Sequence, residues 1–237
     1  MNIALLGYGK MGKEIEKICL DRKHKVVLKI SHENLEDLTD ENLKKADVAI
    51  EFSTPDTVYS NIQMCFKNNV PVVVGTTGWL DKIEDCIAQS KKGSGLFYAS
   101  NFSVGVNIFF EMNKKLAKMM HSYPEYAVEM EEIHHTQKLD APSGTAITLA
   151  EGILDTYSNK TKWVNELTND EALLGIESKR IENVPGTHSV TYNSEIDEIF
   201  IQHIAHSRKG FATGAVLAAE FMKEKSGYFG MRDLLGF

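Results

Sequence analysis

Cysteine is scarce in this chain of 237 residues, and the three cysteines present, Cys19, Cys65 and Cys86, lie apart without any CxxC spacing. An odd, unclustered set excludes a disulfide framework and a cysteine-rich metal site, so we expect reduced structural thiols in a cytoplasmic protein. Long apolar runs are also absent, and the longest ones, such as residues 70–75, are far too short to span a bilayer. The first residues contain neither a basic n-region nor a cleavage site, so we expect no signal peptide.

An excess of basic residues is missing as well, because the net charge is −7 and the pI is about 5.6. That balance argues against a nucleic-acid surface, which needs clustered Lys and Arg, and we expect neither a nucleic-acid nor a membrane partner. A net negative charge is still compatible with a local cationic pocket that binds a small acidic molecule. With 43% hydrophobic and 25% charged residues, the chain has the composition of a globular protein with one large domain or two smaller ones.

The N-terminus carries a glycine-rich turn between a short apolar run at residues 2–6 and a helix predicted over residues 13–20. The turn consists of Gly7, Tyr8, Gly9, Lys10, Met11 and Gly12, a GxGxxG in the strand–turn–helix context of a dinucleotide-binding site. In that motif Gly7 permits the tight turn, Gly9 lets the pyrophosphate approach the backbone, and Gly12 allows close helix–strand packing. The pattern favours a bound nicotinamide dinucleotide, and a plain glycine-rich turn is the alternative.

An acidic residue about twenty positions beyond the last glycine is expected to bind the ribose hydroxyls of the cofactor. Glu33 follows a strand predicted over residues 26–30, and its neighbours Ser31 and His32 remain open as alternatives. No arginine lies in residues 29–40 to neutralise a 2′-phosphate. We therefore expect NADH, or dual use of NADH and NADPH, rather than strict use of NADPH.

The alternation of strand and helix continues to about residue 100. Strands are predicted at residues 46–52, 70–74 and 95–99, with helices at residues 56–68 and 81–90 between them. Alternating βα units form a parallel doubly wound sheet, in which ligands bind at the carboxyl ends of the strands. The small or polar residues predicted to follow these strands, and so to form a cofactor groove, are Ser53, Thr54, Gly75, Thr76, Thr77, Ser100 and Asn101.

The βα pattern stops after Phe102. Residues 103–120 are predicted as a long helix, because apolar residues recur there at i, i+3 and i+4 spacing. Residues 126–134, 175–183, 188–194 and 198–206 are predicted as strands, and residues 211–222 as a helix. The predicted fold class is therefore α/β, with an N-terminal Rossmann-type parallel-sheet domain and a smaller α+β domain that has an open mixed sheet.

The most informative segment combines His134, His135 and Lys138 with a predicted helix start at residues 140–145, Asp-Ala-Pro-Ser-Gly-Thr. Pro142 suits the first helical position, where its missing N–H would be unpaired in any case. The N–H groups of the next three residues and the helix dipole would then form a carboxylate or phosphate site. These three residues are Ser143, Gly144 and Thr145. Proton-transfer groups beside an anion site indicate chemistry on a small acidic molecule.

These motifs resemble those of the dihydrodipicolinate reductase (4-hydroxy-tetrahydrodipicolinate reductase) family of the diaminopimelate–lysine pathway, over nearly the whole chain. The resemblance rests on the glycine turn at residues 7–12 and on blocks at residues 52–55, 75–78, 101–107, 134–146, 207–215 and 231–234. The block at residues 140–145 is the most specific of these. The chain departs from many members in a glycine turn one residue shorter and in lacking the basic residue that often follows the acidic one.

The resemblance implies NADH- or NADPH-dependent reduction of 4-hydroxy-tetrahydrodipicolinate to tetrahydrodipicolinate in a homotetramer. It implies a dinucleotide-binding domain at residues 1–102, completed by residues 208–237, and a substrate-binding and tetramerisation domain at residues 103–207. His134 and Lys138 correspond to the family's catalytic pair, and the substrate's carboxylates would contact His135, Lys138, Ser143, Gly144 and Thr145. The cofactor would contact Gly7, Tyr8, Gly9, Lys10, Met11, Gly12, Glu33, Gly75, Thr76, Thr77, Ala99, Ser100, Asn101 and Phe102.

Physical chemistry agrees with these roles. Reduction of an imine-type ring leaves a carbanion-like centre that needs a proton, and histidine titrates near physiological pH. On an extended stretch Glu132 and His134 share one face, so we expect Glu132 to orient the imidazole ring and to raise its pKa. Lys138 would add a fixed positive charge opposite a carboxylate of the substrate.

Two other functions remain open: a different two-domain nicotinamide dehydrogenase with another acid–base set, and a redox-sensing NAD-binding module without catalytic groups. We expect no metal site, because His203 and His206 of the HxxH sequence would face opposite sides of a strand. For Arg208 two interpretations remain open: a role at the substrate site, or a position on the solvated surface.

Overall fold

A computed structural model describes all residues from Met1 to Phe237 and divides them into two compact units. Unit 1 comprises Met1–Val104 and Lys209–Phe237, and unit 2 comprises Gly105–Arg208. The strands are β1 (Asn2–Leu6), β2 (Lys25–Ile30), β3 (Val48–Glu51), β4 (Val72–Val74), β5 (Gly95–Tyr98), β6 (Ala127–His134), β7 (Lys162–Val164), β8 (Leu173–Arg180), β9 (Gly186–Asn193), β10 (Glu198–Ala205) and β11 (Gly227–Phe229). The helices are α1 (Lys10–Asp21), α2 (Asp40–Leu43), α3 (Pro55–Lys67), α4 (Ile83–Ser90), α5 (Val104–Met120), α6 (Gly144–Leu154), α7 (Lys209–Met222) and α8 (Met231–Leu235). None of them combines the length and the apolar character that crossing a bilayer would require.

All six strands of unit 1 are parallel and follow the order β11-β5-β4-β3-β1-β2. The chain passes from β1 to β2 and then returns to the other side of β1 for β3, β4 and β5. The strand order therefore reverses between β1 and β3, and ligands of such sheets bind beyond the carboxyl ends of the strands at that point. The prediction of a Rossmann-type parallel sheet is confirmed.

Alternate residues of β1 enter two different hydrophobic cores, which explains why this strand is apolar from Ile3 to Leu6. Ile3 and Leu5 pack with residues of α1 and α7, whereas Ala4 and Leu6 pack with residues of α3 and α4. A strand that is buried on both faces needs a continuous apolar sequence rather than an alternating one.

The C-terminal segment of unit 1 completes its sheet. Helix α7 shares a core with α1, and β11 pairs with β5 as the sixth strand. Gly214 of α7 packs against the backbone that follows β5, because a Cβ at position 214 would be 1.7 Å from the carbonyl oxygen of Phe102. Strand β11 and helix α8 are not predicted from the sequence, because elements of three and five residues show no periodicity.

Unit 2 is built on a mixed five-stranded sheet in the order β10-β9-β6-β8-β7. Strand β6 is parallel to β8 and antiparallel to β9, so its last residues lie beside residues of both neighbours. Phe109 of α5 and Leu149 of α6 form one core with Met130 of β6 and Ile176 of β8. The prediction of an α+β arrangement with an open mixed sheet is confirmed.

Several predicted boundaries are wrong by a few residues. Helix α1 begins at Lys10 rather than at residue 13, so the end of the glycine turn already forms its first helical turn. The strand predicted to end at residue 183 ends at Arg180, because Asn183 adopts a φ of 63° and the backbone turns there. Strand β9 then begins at Gly186 instead of residue 188, and β7 is an additional strand of three residues.

The helix start at residues 140–145 also differs from the prediction. Pro142 follows a cis peptide bond and precedes the helix, so it does not occupy the first helical position. Ser143 is the N-cap instead, because its backbone is extended and its hydroxyl accepts a hydrogen bond from the N–H of Ala146. Helix α6 therefore begins at Gly144.

The three cysteines are buried and unpaired. Burial raises the pKa of Cys19 to about 12 and that of Cys86 to about 11. Both groups are therefore protonated thiols at neutral pH, as expected for packing residues.

Candidate active site

The glycine turn of unit 1 has little room on one side and open space on the other. Gly7 adopts a φ of +102°, and a Cβ there would lie 2.1 Å from the carbonyl oxygen of Phe52 at the end of β3. A Cβ on Gly12 would lie 2.3 Å from the carbonyl oxygen of Gly7, whereas a Cβ on Gly9 would meet nothing within 4 Å. Gly7 and Gly12 are therefore required by packing, and the exposed side of Gly9 is where a ligand could approach the backbone.

Helix α1 begins at the open side of this turn, with Gly9 as its N-cap and no acidic residue in its first turn. Its unpaired N–H groups and its dipole suit a phosphate group. Lys10 is exposed, Met11 is half-buried, and the hydroxyl of Tyr8 is hydrogen-bonded to Glu16. The residues of the turn thus fit a dinucleotide, and the hydroxyl of Tyr8 is held by Glu16 rather than left for a ligand.

The turn after β2 lies next to the glycine turn, because the N–H of Gly7 donates to the carbonyl oxygen of Ile30 at 3.0 Å. The side chain of Glu33 is 80% exposed, and its N–H donates to the hydroxyl of Ser31. Asn34, which the sequence did not single out, organises this turn: its Oδ1 accepts from the N–H of Ser31 at 2.8 Å. Which of Ser31, His32 and Glu33 contacts a ribose stays a prediction.

A buried carboxylate connects the ends of β3 and β4. Glu51 is fully buried and accepts hydrogen bonds from the hydroxyl of Thr76 at 2.6 Å and from the side-chain amide of Asn61 at 3.1 Å. Thr76 in turn accepts from the N–H of Ser53 at 2.9 Å. Burial raises the pKa of Glu51, and these hydrogen bonds act against that rise. Thr76 is therefore a buried structural residue, whereas Thr77 and Thr54 beside it are exposed.

The residues after β5 have different degrees of exposure at the same carboxyl edge. Ala99 and Asn101 are half-buried, and Ser100 is exposed. Phe102 is only 2% exposed, because its ring lies against Phe97 and Phe52. Gly75 also packs against Phe52, whose ring would be 2.2 Å from a Cβ at that position. The predicted cofactor residues thus lie along one edge of the sheet, and Phe102 contributes its ring to the core below that edge.

Glu132 is the centre of the candidate site in unit 2. Its side chain is fully buried near the end of β6, and both carboxylate oxygens accept from the N–H of Ser143, at 3.0 and 3.1 Å. Arg180 at the end of β8 donates to the same carboxylate at 3.2 Å. Burial alone would raise the pKa of Glu132, but its contacts with Ser143 and the nearby His134 bring that pKa below its usual value. Glu132 is therefore an anion that links β6, β8 and the N-cap of α6.

His134 lies beside this anion. Its Nδ1 is 3.4 Å from Oε2 of Glu132, although the alignment is too poor for a hydrogen bond. Its Nε2 lies beside Gly186, where an added Cβ would be 3.2 Å away. Burial lowers the pKa of His134 below its ordinary value, and Lys138 and Arg180 lower it further, whereas Glu132 opposes the change. The expectation that Glu132 raises this pKa holds for its own contribution but not for the net direction, because desolvation outweighs it.

The segment after β6 carries the other predicted substrate residues. Lys138 is half-buried, and its ammonium lies 2.8 Å from each carboxylate oxygen of Asp140. His135 is half-buried, and its Nδ1 is buried without a hydrogen-bond partner. Lys138 and His135 are thus close in the chain and joined by a turn, in which the N–H of Lys138 donates to the carbonyl oxygen of His135 at 3.1 Å.

The start of α6 differs from the predicted cluster of three free N–H groups. The N–H of Ser143 donates to Glu132, and its side chain is buried next to His188, so this N–H is not available to a ligand. Gly144 is exposed, and a Cβ there would meet nothing within 4 Å. Thr145 lies half-buried in the same first turn. No acidic residue lies in this turn itself, and the anion that faces the helix start is the buried Glu132, which accepts from the N-cap Ser143.

Sequence reasoning missed three residues of this site: Arg180, Gly186 and His188. They lie on β8 and β9, and sheet pairing brings them to the end of β6, where His134 pairs with Arg180 and Glu132 pairs with His188. The Nε2 atom of His188 is 3.1 Å from the hydroxyl oxygen of Ser143. Burial and then the nearby His134 lower the pKa of His188 to about 3, so this imidazole is neutral at physiological pH.

Glu132, His134 and His188 form a group whose potential metal-binding atoms all lie within 4.8 Å of one another. The carboxylate already accepts hydrogen bonds from Ser143 and Arg180, and the guanidinium would repel a metal cation at this position. We therefore interpret the group as a buried carboxylate between two imidazoles, of which His188 is linked to it through Ser143, rather than as a metal site. The HxxH residues are separate from it: His203 lies on β10 against the ring of Phe109, and His206 follows that strand and is exposed.

Comparison with known proteins defines the class and then the family. The parallel sheet and glycine turn of unit 1 are those of a Rossmann-type nucleotide-binding fold. Residues 1–102 match the family model described as dihydrodipicolinate reductase, N-terminus, and residues 105–235 match the model for its C-terminus. A 4-hydroxy-tetrahydrodipicolinate reductase from Christiangramia forsetii is 55% identical over 239 residues, covering 99% of this chain and 98% of that protein. The chain therefore belongs to the dihydrodipicolinate reductase family and is an oxidoreductase.

Solved structures agree with this assignment. A dihydrodipicolinate reductase from Paenisporosarcina sp. TG-14, with bound dipicolinate, has a TM-score of 0.78 at 26% identity, and the match covers 97% of each chain. A probable dehydrogenase from Thermotoga maritima has a TM-score of 0.53 at 11% identity, covering 91% of this chain and 85% of the other. The second similarity concerns the fold alone.

Proposed function

We propose that this chain catalyses the NAD(P)H-dependent reduction of 4-hydroxy-tetrahydrodipicolinate to tetrahydrodipicolinate. The observation that carries the proposal is the buried Glu132 carboxylate, which lies 3.4 Å from His134 and accepts the N–H of the N-cap Ser143. Through these contacts, Glu132 brings together the His134 imidazole, which can transfer a proton, and the N-terminus of α6, which can bind an anion. A redox-sensing module would need neither group.

Unit 1 is proposed as the dinucleotide-binding domain and unit 2 as the substrate-binding domain. The open backbone at Gly9 and the start of α1 fit the pyrophosphate, and the turn that contains Glu33 lies next to them. A bound nicotinamide dinucleotide supplies the hydride. The absence of arginine from residues 29–40 supports NADH or dual use of both cofactors.

His134 is proposed as the proton donor. Its Nδ1 faces the Glu132 anion, which favours the protonated ring, while Nε2 lies beside Gly186, a residue without a side chain to cover it. Donation from Nε2 would leave a neutral imidazole that keeps its remaining proton on Nδ1, the ring atom that lies 3.4 Å from Glu132. Lys138 lowers the pKa of His134 by its charge, which makes the imidazolium a stronger acid.

The two substrate carboxylates are proposed to lie at Lys138 with His135 and at the N-terminus of α6. Lys138 is paired with Asp140, so its ammonium is fixed in place and a substrate carboxylate would compete with Asp140 for it. Gly144 and Thr145 form the first turn of α6, and Ser143 holds this turn through Glu132 rather than by contacting the ligand. The dipicolinate bound to the Paenisporosarcina protein has the two carboxylates that such a site requires. A homotetramer and a cytoplasmic location are proposed on the resemblance to the family.

The proposed reaction is tested by measuring the oxidation of NADH and of NADPH separately, with freshly generated product of the preceding synthase as substrate. We expect substrate-dependent oxidation of NADH at least as fast as that of NADPH. Absence of turnover with both cofactors, in a protein that retains the fold, would contradict the proposed function.

A further inference from the structure

Arg180 connects three parts of the candidate site although it lies 42 residues from Lys138 in sequence. It is the last residue of β8 and pairs with His134 across the sheet. Its Nη2 donates to the carbonyl oxygen of Asp140 at 2.6 Å and to Glu132 at 3.2 Å, and its Nε lies 3.4 Å from the carbonyl oxygen of Lys138. Nη1 donates to the carbonyl oxygen of Lys179 at 2.8 Å, which fixes the plane of the guanidinium.

The segment that Arg180 contacts has no regular secondary structure of its own. Residues 136–141 lie between β6 and α6, and Leu139 within it is 96% exposed. The contacts inside this segment are local: the turn from Lys138 back to His135 and the ion pair of Lys138 with Asp140. Arg180 supplies the hydrogen bonds that tie the segment to the sheet, at the two backbone carbonyls that flank Leu139.

The shape of the guanidinium matters for this role. A planar fork reaches two carbonyl oxygens and a carboxylate at fixed angles, whereas a lysine ammonium is a compact point charge on a flexible stem. The simpler explanation is that Arg180 only neutralises the buried Glu132. That explanation predicts that lysine would replace it, because lysine retains the charge.

We propose that Arg180 is a positioning residue, which holds the backbone of residues 138–140 against the sheet so that Lys138 is held in place for the substrate carboxylate. The inference rests on the proposed function, because it assigns Lys138 to the substrate. Arg180 need not contact the substrate in this role. Its guanidinium acts on the loop through the carbonyls of Lys138 and Asp140 and on His134 through its charge.

The test compares Arg180→Lys and Arg180→Met with Lys179→Met as a matched control. Lys179 is the adjacent residue, and its ammonium pairs with Glu131 and Glu177 rather than with the site. For each protein, kcat, KM for substrate, KM for cofactor and the pH profile of kcat/KM are measured. Calorimetry gives the Kd for pyridine-2,6-dicarboxylate, and a thermal melt reports the fold.

Both Arg180 variants should lose about 10²-fold in kcat/KM for substrate, since a misplacement of about 1 Å costs roughly that much. They should also bind the dicarboxylate more weakly, with KM for cofactor unchanged. The positive charge of Arg180 lowers the pKa of His134, so Arg180→Met should move the basic limb of the profile to higher pH. Arg180→Lys keeps the charge and should leave that limb in place.

Full activity and dicarboxylate affinity in Arg180→Lys would overturn the positioning role, since only the charge would then matter. An equal loss in Lys179→Met would overturn it too, by showing a general effect on β8. If Arg180→Met does not fold, Arg180→Lys alone still tests whether the shape of the guanidinium or only its charge is required. A wild-type protein that binds the dicarboxylate but turns over no substrate would contradict the proposed function instead, and the Kd values would then decide the role of Arg180.

Discussion

Gly144→Val tests whether the start of α6 binds a substrate carboxylate. A Cβ at Gly144 would meet nothing within 4 Å, and the residue is exposed in the first turn of the helix. The fold should therefore accept the side chain, while the added methyl groups occupy the space in which a carboxylate would approach the helix N-terminus. The variant separates ligand binding from stability, which few substitutions in a buried site can do.

The size of the effect follows from the interaction that is lost. A hydrogen bond to a charged group contributes about 1.5–3 kcal/mol. That corresponds to roughly 10- to 150-fold in affinity. In the wild-type protein, pyridine-2,6-dicarboxylate should inhibit more strongly than pyridine-2-carboxylate by a factor in this range. In Gly144→Val the two inhibitors should become nearly equal, because the second carboxylate no longer has a partner.

The assay is competitive inhibition of cofactor oxidation, with the inhibition constant of each pyridine carboxylate measured for both proteins. Glu151→Ala is the control, because Glu151 is exposed on the same helix, seven positions further along the chain. KM for the cofactor should not change in either variant. Equal inhibition by the mono- and dicarboxylate in the wild-type protein would show that residues 140–145 only cap a helix. Unchanged selectivity in Gly144→Val would remove Gly144 from the carboxylate site.

Two further predictions concern single residues of the two units. Glu33→Ala should weaken NADH binding more than NADPH binding. For NADH the change removes a hydrogen-bond partner of the ribose diol, whereas for NADPH it removes a charge that repels the 2′-phosphate. If the affinities for both cofactors fall equally, or not at all, the role would move to Ser31 or His32. Gly186→Ala should lower kcat with KM for cofactor unchanged, because the new Cβ would lie 3.2 Å from Nε2 of His134 and shift the ring slightly. The loss should be smaller than the roughly 10²-fold that a misplacement of about 1 Å costs. A steady-state kcat equal to that of the wild-type protein would show that the donor atom tolerates a neighbour there.

The parallel sheet was predictable because its signals are local. An apolar run, a glycine turn and a helix follow one another at residues 2–21, and an apolar strand, a turn of small or polar residues and a helix recur as β3–α3 and β4–α4 before residue 100. Strand β1 is apolar from Ile3 to Leu6 because these residues are buried on both faces, and that property is visible without any knowledge of its neighbours. Strand β11 was not predictable, because its three residues gain their position only by pairing with β5.

The candidate site of unit 2 was predictable only where its residues are close in sequence. His134, His135 and Lys138 lie in one short segment with the start of α6, so their types and order carry the signal. Arg180 and His188 reach the same site through the pairing of β6 with β8 and β9, and nothing in their local sequence marks them. Their signal would have been the strand register, which a single sequence does not provide.

The details of the helix start depended on tertiary contacts. Pro142 and Ser143 both fit a helix start by type, but Ser143 is the cap, because its hydroxyl accepts from the N–H of Ala146 while its own N–H donates to Glu132. Similarly, the pKa of His134 could not be derived from the presence of Glu132 alone, because the direction depends on how deeply the ring is buried.

The measurement that most directly tests the proposed mechanism compares His134→Ala with the wild-type protein in two respects. Steady-state kcat is measured with freshly generated substrate, and Kd for NADH is measured by fluorescence titration on the same preparations. We predict that kcat falls by about 10²–10⁴-fold, the usual contribution of a positioned general acid, while Kd for NADH stays nearly unchanged. A variant that is folded and turns over substrate at close to the wild-type rate would contradict the assignment of His134 as the proton donor.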